Sequence, residues 1–296
     1  MISDYRLVAK SWQTPFVVLL GGCLISLVGF GARSSYGLYL GPMTLDLNWT
    51  RETFALAMAL QNLFWGICLP LAGILVDRYG PLWVVIGGAL IYALGTFGMT
   101  WVESSGSLYL AGGILVGTGV AFTSFSLVTA AMVRVVGVQR RSLVMGLCTA
   151  AGSLGQVLYS PITQGMISNH GWSSALVVTA VSVCLIIPLA FMLPNDPRVR
   201  DENVVHTGSI GAMREAFAHR GFLLLTAGFF VCGFHVAFIT VHLPVYVSDL
   251  GLGSMVGAIA ISLIGIFNIV GSLLSGAFGQ RFSKKCGLSG IYAARA

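Results

Sequence analysis

The chain has 296 residues, 56% of them hydrophobic and only 9% charged, with a mean hydropathy of +0.88, whereas an ordinary soluble domain carries about 25% charge. A water-soluble globule of this composition would expose apolar surface on every side, so that class is excluded and an all-α, polytopic membrane protein is expected. The net charge of +6 gathers in a few turns, where nearness to anionic lipid accounts for it, and no nucleic-acid partner is expected.

Eight apolar runs are long enough to cross a hydrocarbon core of about 30 Å at about 1.5 Å per residue. They are expected near 16–40, 53–76, 82–102, 107–132, 142–167, 172–193, 221–247 and 255–279. The first lacks a small-residue cleavage site and is longer than a signal-peptide core, so it is kept as a span. Short turns join the first six into a bundle over 1–193. A polar connection follows over 194–220, and 221–296 holds two more spans and the start of a third.

Counting alternate turns places Arg6, Lys10, Arg78, Arg134, Arg140, Arg141, Arg198, Arg200, Arg214, Arg220, Arg281, Lys284 and Lys285 on one side, with Arg51 opposite. Basic residues resist translocation, so the first side is expected to be cytoplasmic, the N-terminus with it, in a cell (inner or plasma) membrane. Of the six tryptophans, Trp12, Trp49, Trp83, Trp101 and Trp172 fall at span ends, as interfacial anchors do. The six cysteines include no CxxC pair and read as small core residues.

Gly73-Ile-Leu-Val-Asp77-Arg78-Tyr79-Gly80 returns in degraded form as Gly276-Ala-Phe-Gly-Gln280-Arg281-Phe282-Ser283, 203 residues on, and Gly29-Phe30 returns as Gly233-Phe234 after 204. Such a period implies two homologous halves and an intact architecture of roughly 400 residues. The chain is therefore expected to be C-terminally truncated, a six-helix first half followed by the first two helices of a second.

GILVDRYGP after the second span resembles the signature loop of the major facilitator superfamily, and QRFSKK after the eighth resembles its weaker second copy. FGARSSYGLYL, AAGSLGQ and CGFHVAFITVHLP resemble the bacterial monocarboxylate transporter and oxalate/formate antiporter branch. The resemblance implies a gating role for Gly73, Asp77, Arg78, Gly80 and Arg281. In it Asp77 pairs with or caps a helix end of the other half, Arg78 meets nearby carboxylates or backbone, and the outward-open state is held. Gln280 replaces the acid of the second copy, so that latch is expected to be weaker. Three departures bear on substrate. Gly113-Ile-Leu-Val-Gly117-Thr-Gly119 lacks the arginine of many proton-coupled members, AAGSLGQVLYSP lacks the drug-antiporter pattern, and Asn268 stands where better-known monocarboxylate members carry charge.

All ten acids lie at span ends or in loops, which disfavours cation transport, since that chemistry calls for an intramembrane carboxylate. Arg33 is the basic residue deep in a span, where charge costs about 2.5–3.5 kcal/mol or more unless it faces water or a partner. The repeat offset sets it opposite position 237, between His235 and His242, and the family resemblance implies that first and seventh spans face each other. Arg33, His235 and His242 then read as one cationic cluster, the guanidinium forking a carboxylate and an imidazole carrying a proton near neutral pH. Tyr36, sharing the Arg33 face, would close the site from outside. Gln61, Asn62, Thr123, Ser124, Gln156 and Asn268 extend the candidate lining. The competing readings are an Arg33 that snorkels outward, histidines that serve helix packing, and polar residues that make interhelical hydrogen bonds.

Two histidines at i and i+7 with no third ligand do not make a metal site, and no cofactor is expected. HExxH, GxSxG and paired intramembrane carboxylates are missing, so the chain is not read as an enzyme. The expected function is secondary active transport of a small organic anion by alternating access, possible proton coupling included, in contact with membrane lipid and with no obligate protein partner evident. A transporter of another small solute, a non-transporting membrane sensor and an inactive fragment are the alternatives.

Overall fold

A computed structural model describes residues 13–195 and 209–295, which are overwhelmingly helical with no strand among them. Helices satisfy their backbone groups within the segment, as hydrocarbon requires. Seven segments are long and apolar enough to cross a membrane: Pro15–Asp46, Arg51–Tyr79, Pro81–Trp101, Ser105–Val136, Arg141–Ala190, Arg220–Asp249 and Ser254–Gly279. The fifth has 50 residues, about 75 Å if straight, more than twice the apolar thickness. It folds back at Gly171, whose φ of 82° and ψ of 164° few other residues adopt. Across that turn the Tyr159 hydroxyl donates to Ser182 Oγ at 2.9 Å, which fixes two antiparallel passes. The eight expected passes are therefore present.

Local chemistry sets the ends. Thr14 caps the first helix by accepting from the Val17 N–H at 3.4 Å, and Pro15 starts it without a wasted donor. That helix stops at Ser34, tightens into a 3-10 turn over Tyr36–Tyr39, and continues as Leu40–Asp46. The second pass, Arg51–Tyr79, ends on Gly80 with φ 82° and ψ 160°, and Pro81 begins the third. At Gly80 a Cβ would lie 2.7 Å from Asn195 Oδ1 and 3.0 Å from the Asn195 carbonyl oxygen, so backbone and neighbour both demand glycine.

The fourth pass departs from the single helix expected over 107–132. A π-helical stretch over Tyr109–Leu115 passes into a helix ending at Phe122, and a new helix starts at Phe125. Thr123 donates its hydroxyl to the Gly119 carbonyl at 2.9 Å, and Ser124 has extended ψ of 146°. Hydroxyls that bond back to the preceding turn bend helices. Thr123 and Ser124 are buried in this break.

The core sits in the first six passes, where Ile25, Phe54, Tyr92, Met132, Leu176 and Ile186 belong to one buried cluster. Trp83 and Trp101 stay exposed at the ends of the third pass. The eighth pass lies along the fifth, joined by Gln156 Nε2 to the Ile261 carbonyl at 3.2 Å and Ser262 Oγ to the Val157 carbonyl at 3.1 Å. Of the seventh pass only Pro244 and Val247 are buried. The connection expected over 194–220 falls partly outside the described residues and ends in a helix over Ser209–Ala218. A helix over Lys284–Arg295 follows the eighth pass.

Candidate functional site

Arg33 lies in the last turn of the first helix and reaches the second pass. Its Nη2 donates to Asn62 Oδ1 at 2.5 Å, and its guanidinium carbon lies 4.4 Å from the ring centroid of Trp65. Asn62 and Trp65, three residues apart, share one helix face. The Asn62 amide nitrogen donates to the Met58 carbonyl at 2.8 Å, which turns the amide so that its oxygen faces the guanidinium. Arg33 Nε is buried with no hydrogen-bond partner, and so is Trp65 Nε1. A charge held by a neutral amide and an aromatic face keeps its attraction for an anion, since no carboxylate among the described residues pairs with it.

Trp65 was not among the residues expected at the site. Its signal was present, however, because it is the one tryptophan of six that does not fall at a span end.

His235 and His242 lie on the seventh pass, the first exposed and the second half-buried. Their rings lie against phenylalanines, His235 with its centroid 6.4 Å from that of Phe234 and His242 4.9 Å from that of Phe238. Among the described residues no hydrogen bond or ring contact joins either histidine to Arg33. First and seventh passes do meet, one turn beyond Arg33: a Cβ on Gly37 would collide with the Thr240 carbonyl oxygen and stand 3.0 Å from Val241 Cα. His242 directly follows Val241.

Tyr36, expected to close the site from outside, is buried, only 1% exposed. Its hydroxyl bonds Thr96 Oγ1 at 2.5 Å, and Thr96 donates onward to the Tyr92 carbonyl at 2.9 Å. Tyr36 thus ties the first pass to the third. Gln156 is likewise buried in the fifth-to-eighth packing contact, and Asn268 is exposed on the eighth pass, its carbonyl accepting from Ser272 Oγ at 2.7 Å.

At the far end of the second pass, Asp77 Oδ1 lies 3.5 Å from Arg134 Nη2, joining the second and fourth passes of the same half. The Arg78 guanidinium stands 5.2 Å from the Tyr79 ring centroid. A Cβ on Gly73 would meet nothing within 4 Å, so packing within the described residues does not require that glycine. The side chain of Arg281 lies outside the described residues. No group of three or more metal-ligating side chains gathers among the described residues.

The model of the Major Facilitator Superfamily matches residues 22–295. "Monocarboxylate transporter 13" of Rattus norvegicus is 27% identical over 270 residues, covering 90% of this chain and 61% of that protein. The "Oxalate:formate antiporter" of Oxalobacter formigenes is 26% identical over 271 residues, covering 88% of this chain and 62% of that protein. The chain thus spans less than two thirds of the length of these relatives. A solved "D-xylose-proton symporter" superposes with a TM-score of 0.62 at 16% identity, covering 94% of this chain and 71% of that one, and shares the fold. The eight apolar passes, the glycine-bounded segment Gly73–Gly80 that closes the second pass and the match over nearly the whole chain agree, and the protein belongs to the Major Facilitator Superfamily of membrane transporters.

Proposed function

We propose that the chain moves small organic anions, monocarboxylates or oxalate-like dicarboxylates, by alternating access, with Arg33 holding the carboxylate. The observation that carries this is the Arg33 guanidinium set deep in the first pass against Asn62 and Trp65, with no acidic partner among the described residues. Intramembrane charge is costly, and a site that leaves it un-neutralised suits a ligand of opposite sign. The printed activities of the two relatives named above support the substrate class.

In this reading an imidazole of the seventh pass, His242 or His235, carries or senses the coupled proton. Asp77, Arg78, Gly73, Gly80 and Arg281 serve the cytoplasmic gate. The protein resides in the cell (inner or plasma) membrane with its N-terminus cytoplasmic, as the gathering of Arg78, Arg134, Arg140, Arg141 and Arg220 at one set of span ends supports. The test is uptake of labelled formate, lactate and oxalate into proteoliposomes holding the chain. Saturable uptake of at least one of them, competed by the unlabelled anion, is expected. Binding of these anions without flux would point to a sensor, and no binding at all would remove the anion assignment.

A further inference from the structure

Arg51 opens the second pass and Asp249 closes the seventh, 198 residues later, and their side chains meet fork to fork. Nη1 lies 2.6 Å from Oδ2 and Nη2 2.8 Å from Oδ1, the paired bonds of a bidentate guanidinium–carboxylate contact. The two residues come from opposite halves of the repeat. Arg51 and Asp77 lie near opposite ends of one helix, about 39 Å apart along its axis, so this pair sits on the face opposite the signature motif.

Two further contacts between the halves share that face. The first pass presents Gly37 to the backbone of Thr240 and Val241 so closely that no side chain fits between them. Gln164 Nε2, near the end of the fifth pass, donates to Ser254 Oγ at 3.0 Å at the start of the eighth. Behind this rim, one helical turn further in, stands Arg33.

We infer that the Arg51–Asp249 pair is a latch on the rim opposite the signature loop, closed in this structure and released when that face opens toward Arg33. This rests on the alternating-access reading above. The pair stays in water, with 58% and 46% of the two side chains exposed, so solvent screens it and its contribution is small. That suits a latch which biases two states of similar energy without locking either. The bidentate geometry supplies direction, since a lysine at 51 or an amide at 249 makes one contact in place of two.

The test uses the full chain in proteoliposomes with its native cysteines replaced and a reporter cysteine at Ala237, on the seventh pass below the rim. Alkylation by a membrane-impermeant maleimide added from the Arg51 face is timed. Arg51→Gln or Asp249→Asn should each raise the alkylation rate by roughly two- to fivefold, and the exchange Arg51→Asp with Asp249→Arg should restore the parental rate. About 1 M salt should bring the parental rate up toward that of the single variants. Unchanged rates in both single variants, or an exchange that behaves as the sum of two lesions, would overturn the latch. Anion uptake is measured in the same vesicles: altered alkylation without uptake removes the transport reading and leaves the latch, whereas uptake with unaltered alkylation does the reverse.

Discussion

Arg33 and Asn62 are joined across the first and second passes by a 2.5 Å hydrogen bond in which the acceptor is a neutral amide whose own nitrogen is tied to the Met58 carbonyl. The amide orients the guanidinium without cancelling its charge, which separates this pair from a structural ion pair.

Replacing Asn62 with Asp tests that separation. A carboxylate at this position would neutralise Arg33 in place, so thermal stability in detergent should hold or rise while anion uptake falls at least about tenfold. Asn62→Leu should instead raise the Michaelis constant, since the guanidinium loses its oriented acceptor. Full uptake by Asn62→Asp would remove Arg33 from the anion path.

Gly80 and Gly73 belong to one loop signature and should respond differently. Gly80→Ala forces a Cβ into a backbone with φ 82° and against Asn195, a strain of about 1–3 kcal/mol, and a lowered melting temperature is expected. Gly73→Ala has open space around its Cβ and should change stability by less than about 0.5 kcal/mol. Thermal scans of both variants in one detergent check the contrast.

Gln156 separates packing from lining. Its amide donates to the Ile261 carbonyl in a buried contact between fifth and eighth passes, and an interhelical hydrogen bond in a membrane is worth about 0.6 kcal/mol. Gln156→Leu should therefore shift stability by about that amount and leave the Michaelis constant for the anion in place. A selective loss of affinity would return Gln156 to the site.

If His242 carries the coupled proton, the parent chain should take up anion faster as external pH falls, because the protonated imidazole draws the anion and supplies the proton. His242→Gln should flatten that dependence while retaining basal exchange. A pH profile of initial rates for parent, His242→Gln and His235→Gln decides between the two histidines, and an unaltered profile in both variants would exclude each as the carrier.

Span number and the loop signature were legible in the sequence because each depends on local composition: apolar length sets a pass, and Gly-Pro at positions 80 and 81 sets a reversal. What a polar side chain touches depends on helix rotation and on neighbours far along the chain, which hydropathy does not encode. Tyr36 was placed on the Arg33 face by spacing, yet its hydroxyl is taken by Thr96 in the third pass. Thr123 and Ser124 suit a lining as polar residues at mid-span, and the structure adds that they sit where the fourth helix breaks. Trp65 carried its signal as a tryptophan away from any interface. The Arg51–Asp249 pair carried none, since both residues look like ordinary loop charges until the halves are brought together.

The most direct measurement is the initial rate of labelled carboxylate uptake by proteoliposomes holding the parent chain, Arg33→Ala or Arg33→Lys at equal protein density. Loss of a charge-assisted contact worth about 1.5–3 kcal/mol predicts a fall of roughly 10- to 100-fold in kcat/KM for Arg33→Ala. Arg33→Lys, which keeps the charge and loses the fork, should retain an intermediate rate. Uptake by Arg33→Ala at the parental rate, with an unchanged Michaelis constant, would contradict the account.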